Sequence, residues 1–178
     1  MKPLSLKMRA LSLLSQREHS VLELRRKLIR VAREAQRKAA LASSAQMQDD
    51  DASEDPVEPT VDLRTEVDEL LVWLQTQGYL DETRFVESRV HAREPRFGSL
   101  RIKQELAQHG LALSPDGQAA LKATELARAQ ALWARKFNGV AADDLAERAK
   151  QSRFLMARGF APDVIRRVLR GDVSAEFN

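Results

Sequence analysis

Apolar residues recur along this chain at intervals of three and four, the spacing of one face of an α-helix, and strand-like alternation is nowhere sustained. Leu4, Met8, Leu11 and Leu14 predict a first helix over about 4–15, followed by an Arg17-Glu18-His19 connector. Ser20 supplies the next N-cap, with Glu23 three residues on as its capping-box partner, ahead of Leu24, Leu28 and Val31. The period fades near Ala39 and returns at Val61–Gln77, where Val67, Leu70, Leu71 and Leu74 face a core and Gly78 is the C-cap. Asp81 caps a helix over about 82–93 with Phe85, Val86 and Val90 inward, and Pro95 ends it. Another is expected over about 99–109, with Leu100, Ile102 and Leu106 inward and Gly110 as its stop. Ser114-Pro115-Asp116 opens a helical stretch to Phe137 with a break near Ala123 or Thr124, closed by Asn138-Gly139. Asp143 or Asp144 starts a helix to Arg158 and Gly159. Pro162 then begins a last helix that stops at Gly171. The fold class is all-α.

Three of these segments superimpose without gaps: Ser20 to Leu28, Gly98 to Leu106 and Ala161 to Leu169. Each begins at a small turn or capping residue and carries an apolar residue four positions on (Leu24, Ile102, Ile165) and another four beyond. Each then places basic residues after the first apolar position: Arg25-Arg26, Lys103 and Arg166-Arg167. The pattern predicts an elongated array of three tandem three-helix, helix-turn-helix-like repeats. The expected boundaries are 1–78, 79–123 and 124–178, the first repeat holding an acidic insertion at about 42–60. That insertion has no apolar face to bury against its ordering entropy, so a mobile loop is expected. Shielding of the basic helix before it is its functional alternative.

Charge sharpens this picture. The formal net charge is only +3. Yet residues 1–40 hold eleven basic and three acidic side chains, residues 41–72 one and ten, and residues 73–178 seventeen and thirteen. A polyanion therefore meets basic ends flanking an acidic middle. Cysteine is absent, which removes disulfides, thiolate nucleophiles and zinc fingers of the cysteine type. No apolar run reaches the length of a membrane helix, and the charged N-terminus does not read as a secretory signal, so a cytoplasmic protein is expected.

Candidate chemistry is sparse. His19, His91 and His109 lie far apart and form no ligand pair, which leaves them capping and surface roles and predicts no metal. There is no phosphate-cradling glycine loop and no Gly-x-Ser-x-Gly, so neither catalysis nor a cofactor is expected. Phe97 beside Arg96, and Phe160 beside Arg158, resemble a stacking platform for bases, with core packing the favoured role for both rings. The functional signal is the basic residues that follow each turn. Guanidinium forks suit phosphate and carboxylate equally, so residue type alone does not choose between DNA and acidic protein.

At these residues the chain resembles the RecX family, bacterial regulators of the RecA recombinase. The resemblance rests on Leu13 to Leu28, on Gly78-Tyr79-Leu80-Asp81 with Arg84-Phe85, on Phe97 to Gly110, and on Arg153 to Phe160 with Val164 to Leu169. It spans nearly the whole chain outside 42–60, and that long acidic segment stands where the family has a short turn. The resemblance implies a non-enzymatic, monomeric regulator built from tandem three-helix repeats. Such a protein binds in the groove of the RecA–DNA filament and depresses its ATPase, strand-exchange and co-protease activities, modulating recombination, DNA repair and the SOS response. The implied partners are the RecA filament and, through phosphates, single- and double-stranded DNA. Candidate contact residues are Arg25, Arg26 and Arg30 in the first repeat, and Arg96, Arg101 and Lys103 in the second. Arg153, Arg158, Arg166, Arg167 and Arg170 are the candidates in the third. The alternative is a helix-turn-helix transcriptional regulator, which requires sequence preference and a dimer. A helical scaffold without a nucleic-acid role is the third reading.

Overall fold

A computed structural model describes residues 5–46, 63–140 and 142–171. Among them are nine helices and no strand: α1 (Leu6–Leu14), α2 (Val21–Gln46), α3 (Leu63–Thr76), α4 (Glu82–Arg93), α5 (Ser99–Ala107), α6 (Pro115–Ala123), α7 (Glu125–Phe137), α8 (Leu145–Ala157) and α9 (Pro162–Arg170). The protein is all-α. It divides into two compact units, Met1–Phe85 and Val86–Asn178, with the division inside α4.

Local sequence chemistry starts most of these helices. Backbone amides donate to the side chains of Ser5, Ser20, Asp81, Ser114 and Asp144 at 2.7–3.3 Å, satisfying donors that the first turn leaves without an intrahelical acceptor. Thr124 separates α6 from α7, as the sequence predicts.

In the first unit, Leu24 and Leu28 of α2 bury completely against Val67, Leu71 and Leu74 of α3, with Ala10 and Leu80 closing the cluster. Each such leucine adds about 1.5–3 kcal/mol over exposure. Two expectations change here. Met8 is 53% exposed, because Ala10 with Leu6, Leu11, Leu13 and Leu14 forms the packed side of α1. Helix α2 also continues to Gln46, so residues 42–46 are not loop; the run Ala39-Ala40-Leu41-Ala42 has high helix propensity and extends a helix already anchored by packing. The rest of the expected acidic loop, 47–60, lies outside the described residues.

In the second unit, Leu126, Ala129, Leu132 and Trp133 of α7 pack with Leu155 of α8, Phe160, and Val164, Ile165 and Val168 of α9. Trp133 Nε1 donates to Gln151 Oε1 at 2.9 Å, and Gln151 Nε2 donates to the Val140 carbonyl at 3.1 Å, so the polar atoms of this core are paired. On α5, Ile102 and Leu106 are buried while Leu100 is 53% exposed, which overturns its inward assignment. Leu100 sits two residues from Ile102, about 200° round the helix.

The turns before α5 and after α8 interlock. Gly98 N donates to the Arg158 carbonyl at 2.9 Å, and Leu100 N to the Gly159 carbonyl at 3.1 Å. A Cβ on Gly98 would overlap the Gly159 carbonyl, and Gly159 itself holds φ +78°. This close approach brings basic residues from two turns together.

Candidate functional site

Three cationic faces emerge when the candidate residues are followed from their helices outward. The first lies on α2. Arg26, Arg30, Arg33 and Arg37 are all exposed, and their spacing of four, three and four places them in one stripe. The stripe runs about 16 Å along the axis. With Ile29 and Glu34 these side chains line an open groove of about 430 Å³. Arg33 and Arg37 are absent from the sequence-derived candidates, although their register with Arg26 and Arg30 is a signal that could have added them.

Arg25 does something else. Its Nε and Nη2 donate to Asp68 Oδ1 and Oδ2 at 2.6 and 2.7 Å, a fork-to-fork pair that joins α2 to α3. The hydrogen bonds from Arg25 hold the Asp68 carboxyl below its ordinary range. The dipeptide Arg25-Arg26 therefore splits, one residue bridging helices and its neighbour facing solvent.

Beside this stripe, His19 is buried at 1% exposure, unlike the capping or surface role expected. Nδ1 lies 2.9 Å from the Arg17 carbonyl and Nε2 lies 2.9 Å from Lys27 Nζ, an arrangement that suits a neutral ring protonated on Nδ1. Burial pushes its pKa down, and the nearby Arg17 and Lys27 cations act in the same direction. Glu23 binds both Arg17 and Lys27; burial opposes its ionisation, but these bonds prevail and hold its pKa at about 2.

The second face surrounds the interlocked turns. The guanidiniums of Arg93, Arg96 and Arg101 lie 5.7, 5.8 and 4.5 Å from the centre of the Phe97 ring. Arg158 lies 4.6 Å from the Phe154 ring and donates to the Arg96 carbonyl at 3.3 Å. Arg101 donates to the Ala157 carbonyl at 3.2 Å. The structure thus brings together Arg96, Arg101 and Arg158. Phe160 is a core residue, and Phe97 is half-buried beneath its arginines. Lys103 stands apart and donates to Gln118 Oε1 at 3.1 Å.

Two residues absent from the sequence analysis hold this face in place. Glu125, at 2% exposure, accepts from Ser99 N at 2.9 Å and Ser99 Oγ at 2.7 Å, capping α5 from α7. Arg128 donates to the carbonyls of Glu94, Phe97 and Leu121 at 2.7–2.9 Å, and burial lowers its pKa against the pull of Glu125 and Glu94. Nothing in the sequence marks them, since both acquire their roles from contacts far along the chain.

The third face is on α9. Arg166, Arg167 and Arg170 are exposed opposite the buried Val164, Ile165 and Val168, and Arg153 is exposed on α8. Among the described residues no three His, Asp or Glu side chains form a metal-holding group, and no helix is long and apolar enough to cross a membrane.

A sequence model of the RecX third three-helix domain matches residues 123–169, which hold α7, α8 and α9. Regulatory protein RecX of Ralstonia pickettii is 44% identical over 172 residues, covering 96% of this chain and 89% of the relative. Its counterpart in Leptothrix cholodnii is 43% identical over 94% of this chain and 88% of its own length. That of Pseudomonas putida is 34% identical over 95% and 92%. This chain belongs to the RecX family. As a RecX-family protein it is a regulator.

Proposed function

We propose that this chain regulates the RecA recombinase by binding in the groove of the RecA–DNA filament. It lowers ATPase, strand exchange and co-protease activity without catalysing a reaction, and so modulates recombination, DNA repair and the SOS response. In this reading it acts in the cytoplasm as a monomer, through three helical modules at 1–78, 79–123 and 124–178. The observation that carries the proposal is the stripe Arg26-Arg30-Arg33-Arg37, four exposed cations on one helix face of a RecX-family chain. Arg166, Arg167 and Arg170 supply a comparable face on α9. Both suit phosphates and acidic protein surface. Occupying the groove hinders entry of a second duplex, and bridging protomers hinders the cycling that ATP hydrolysis requires.

Charge reversal tests which residues act. Arg26→Glu/Arg30→Glu and Arg166→Glu/Arg167→Glu are each expected to weaken binding to RecA filaments in co-sedimentation while the helical circular-dichroism signal stays intact. Filament binding unchanged in both variants removes these faces from the mechanism. Arg25 is left out because its loss opens the α2–α3 bridge. The transcriptional-regulator reading predicts instead that one duplex sequence is preferred over others at constant salt.

A further inference from the structure

Helices α4 and α5 and the end of α8 enclose an open cleft of about 670 Å³ within the second unit. Its lining combines two chemistries. Arg89 and Arg93 from α4 and Arg101 from α5 converge on the single carboxylate of Glu105, at 3.9, 2.8 and 3.6 Å. The charged lining is three guanidiniums to one carboxylate, so the wall is net cationic. Beside these groups lie Leu100 and Met156, 53% and 58% exposed, while Ile102, Leu106 and Leu155 meet the core needs of the same helices. An apolar pair outside the core and next to a cationic wall marks a surface built for contact.

The cleft selects its occupant by that pairing. A nucleic acid would use phosphates and flat ring faces. None of the residues lining the cleft is aromatic, so it gives a base no ring to stack on, and the nearby Phe97 is half-buried with guanidiniums 4.5–5.8 Å from its centre. Leu100 and Met156 are flexible aliphatic surfaces that fit another aliphatic side chain. We propose that this cleft docks an acidic segment of a protein partner, an aliphatic side chain resting on Leu100 and Met156 with flanking carboxylates against the arginines. The inference is independent of the filament reading above, because it concerns the chemistry the cleft accepts rather than which protein supplies it.

Fluorescence anisotropy of the full chain tests this with three probes: a labelled nonapeptide of Asp and Glu with leucine at its centre, the same peptide with serine there, and an oligothymidylate. The leucine peptide is expected to bind about tenfold tighter than the serine peptide. Leu100→Ser/Met156→Ser is expected to erase that preference without moving the melting temperature, both residues being exposed. Equal binding of the two peptides, no binding of either, or a preference that survives Leu100→Ser/Met156→Ser overturns the proposal. So does oligothymidylate binding that is itself abolished in that double variant, which would make nucleic acid the occupant.

Discussion

At the scale of single residues, the buried His19 couples stability to pH. Its folded-state pKa lies below the ordinary value of 6.5, so below that pH the unfolded chain takes up a proton that the folded chain refuses. The stabilisation it supports is present above the ordinary value and is lost as the pH falls from there toward the lower folded value. Glu23, held at about 2, follows the same sign lower down, its contribution present above its ordinary value of 4.5 and lost as the pH falls toward 2. His19→Gln retains an acceptor for Lys27 but cannot titrate. Urea midpoints measured between about pH 5 and pH 7 are expected to slope less in this variant than in the parent. An unchanged slope assigns the pH dependence to other groups. The same region shows where residue-level legibility ends. Ser20 and Glu23 are readable as a cap because both partners lie within one turn. That Arg25 bridges and Arg26 does not depends on Asp68, forty-three residues away.

At the scale of elements, helix starts are legible wherever the cap is local, as at Ser114 and Asp144. The start of α5 is placed at residue 99 by its apolar spacing, but its cap is not legible, because that cap is Glu125 on another helix. Replacing Glu125 with Ala leaves the buried Ser99 hydroxyl and amide without this acceptor, with an expected loss of about 1–3 kcal/mol in urea unfolding. Gly98→Ala forces a methyl group into the Gly159 carbonyl and is expected to cost at least about 1 kcal/mol. A fully stable Gly98→Ala protein would show that the two turns do not meet as described. Helix length escapes the apolar pattern for a related reason. Loss of apolar period near Ala39 does not mark the end of the helix, and an alanine-rich segment stays helical to Gln46.

At the scale of the whole molecule, the basic excess that the sequence shows as blocks becomes sorted faces. The candidates Arg96, Arg101 and Arg158 assemble around two turns, Arg166, Arg167 and Arg170 share one helix face, and α2 contributes a stripe of four. Their recurrence is readable from the three aligned segments, whereas their commitments to Phe97, Asp68 or Gln118 require the fold. If the α2 stripe meets phosphates, Arg30→Glu/Arg33→Glu is expected to weaken DNA binding for all sequences alike. The slope of log affinity against log salt should then become shallower by about 0.7–0.9 for each phosphate that is no longer neutralised. An unchanged slope assigns this stripe to protein surface instead.

The central claim is action on the filament rather than on DNA, and one titration separates the two. The single-strand-dependent ATPase of RecA from the same organism is measured at fixed salt against increasing amounts of this protein, with its binding to the same DNA followed in parallel. The account predicts inhibition at concentrations well below saturation of the DNA. Inhibition that begins only as the DNA itself becomes saturated would mean competition for the polyanion, and would contradict it.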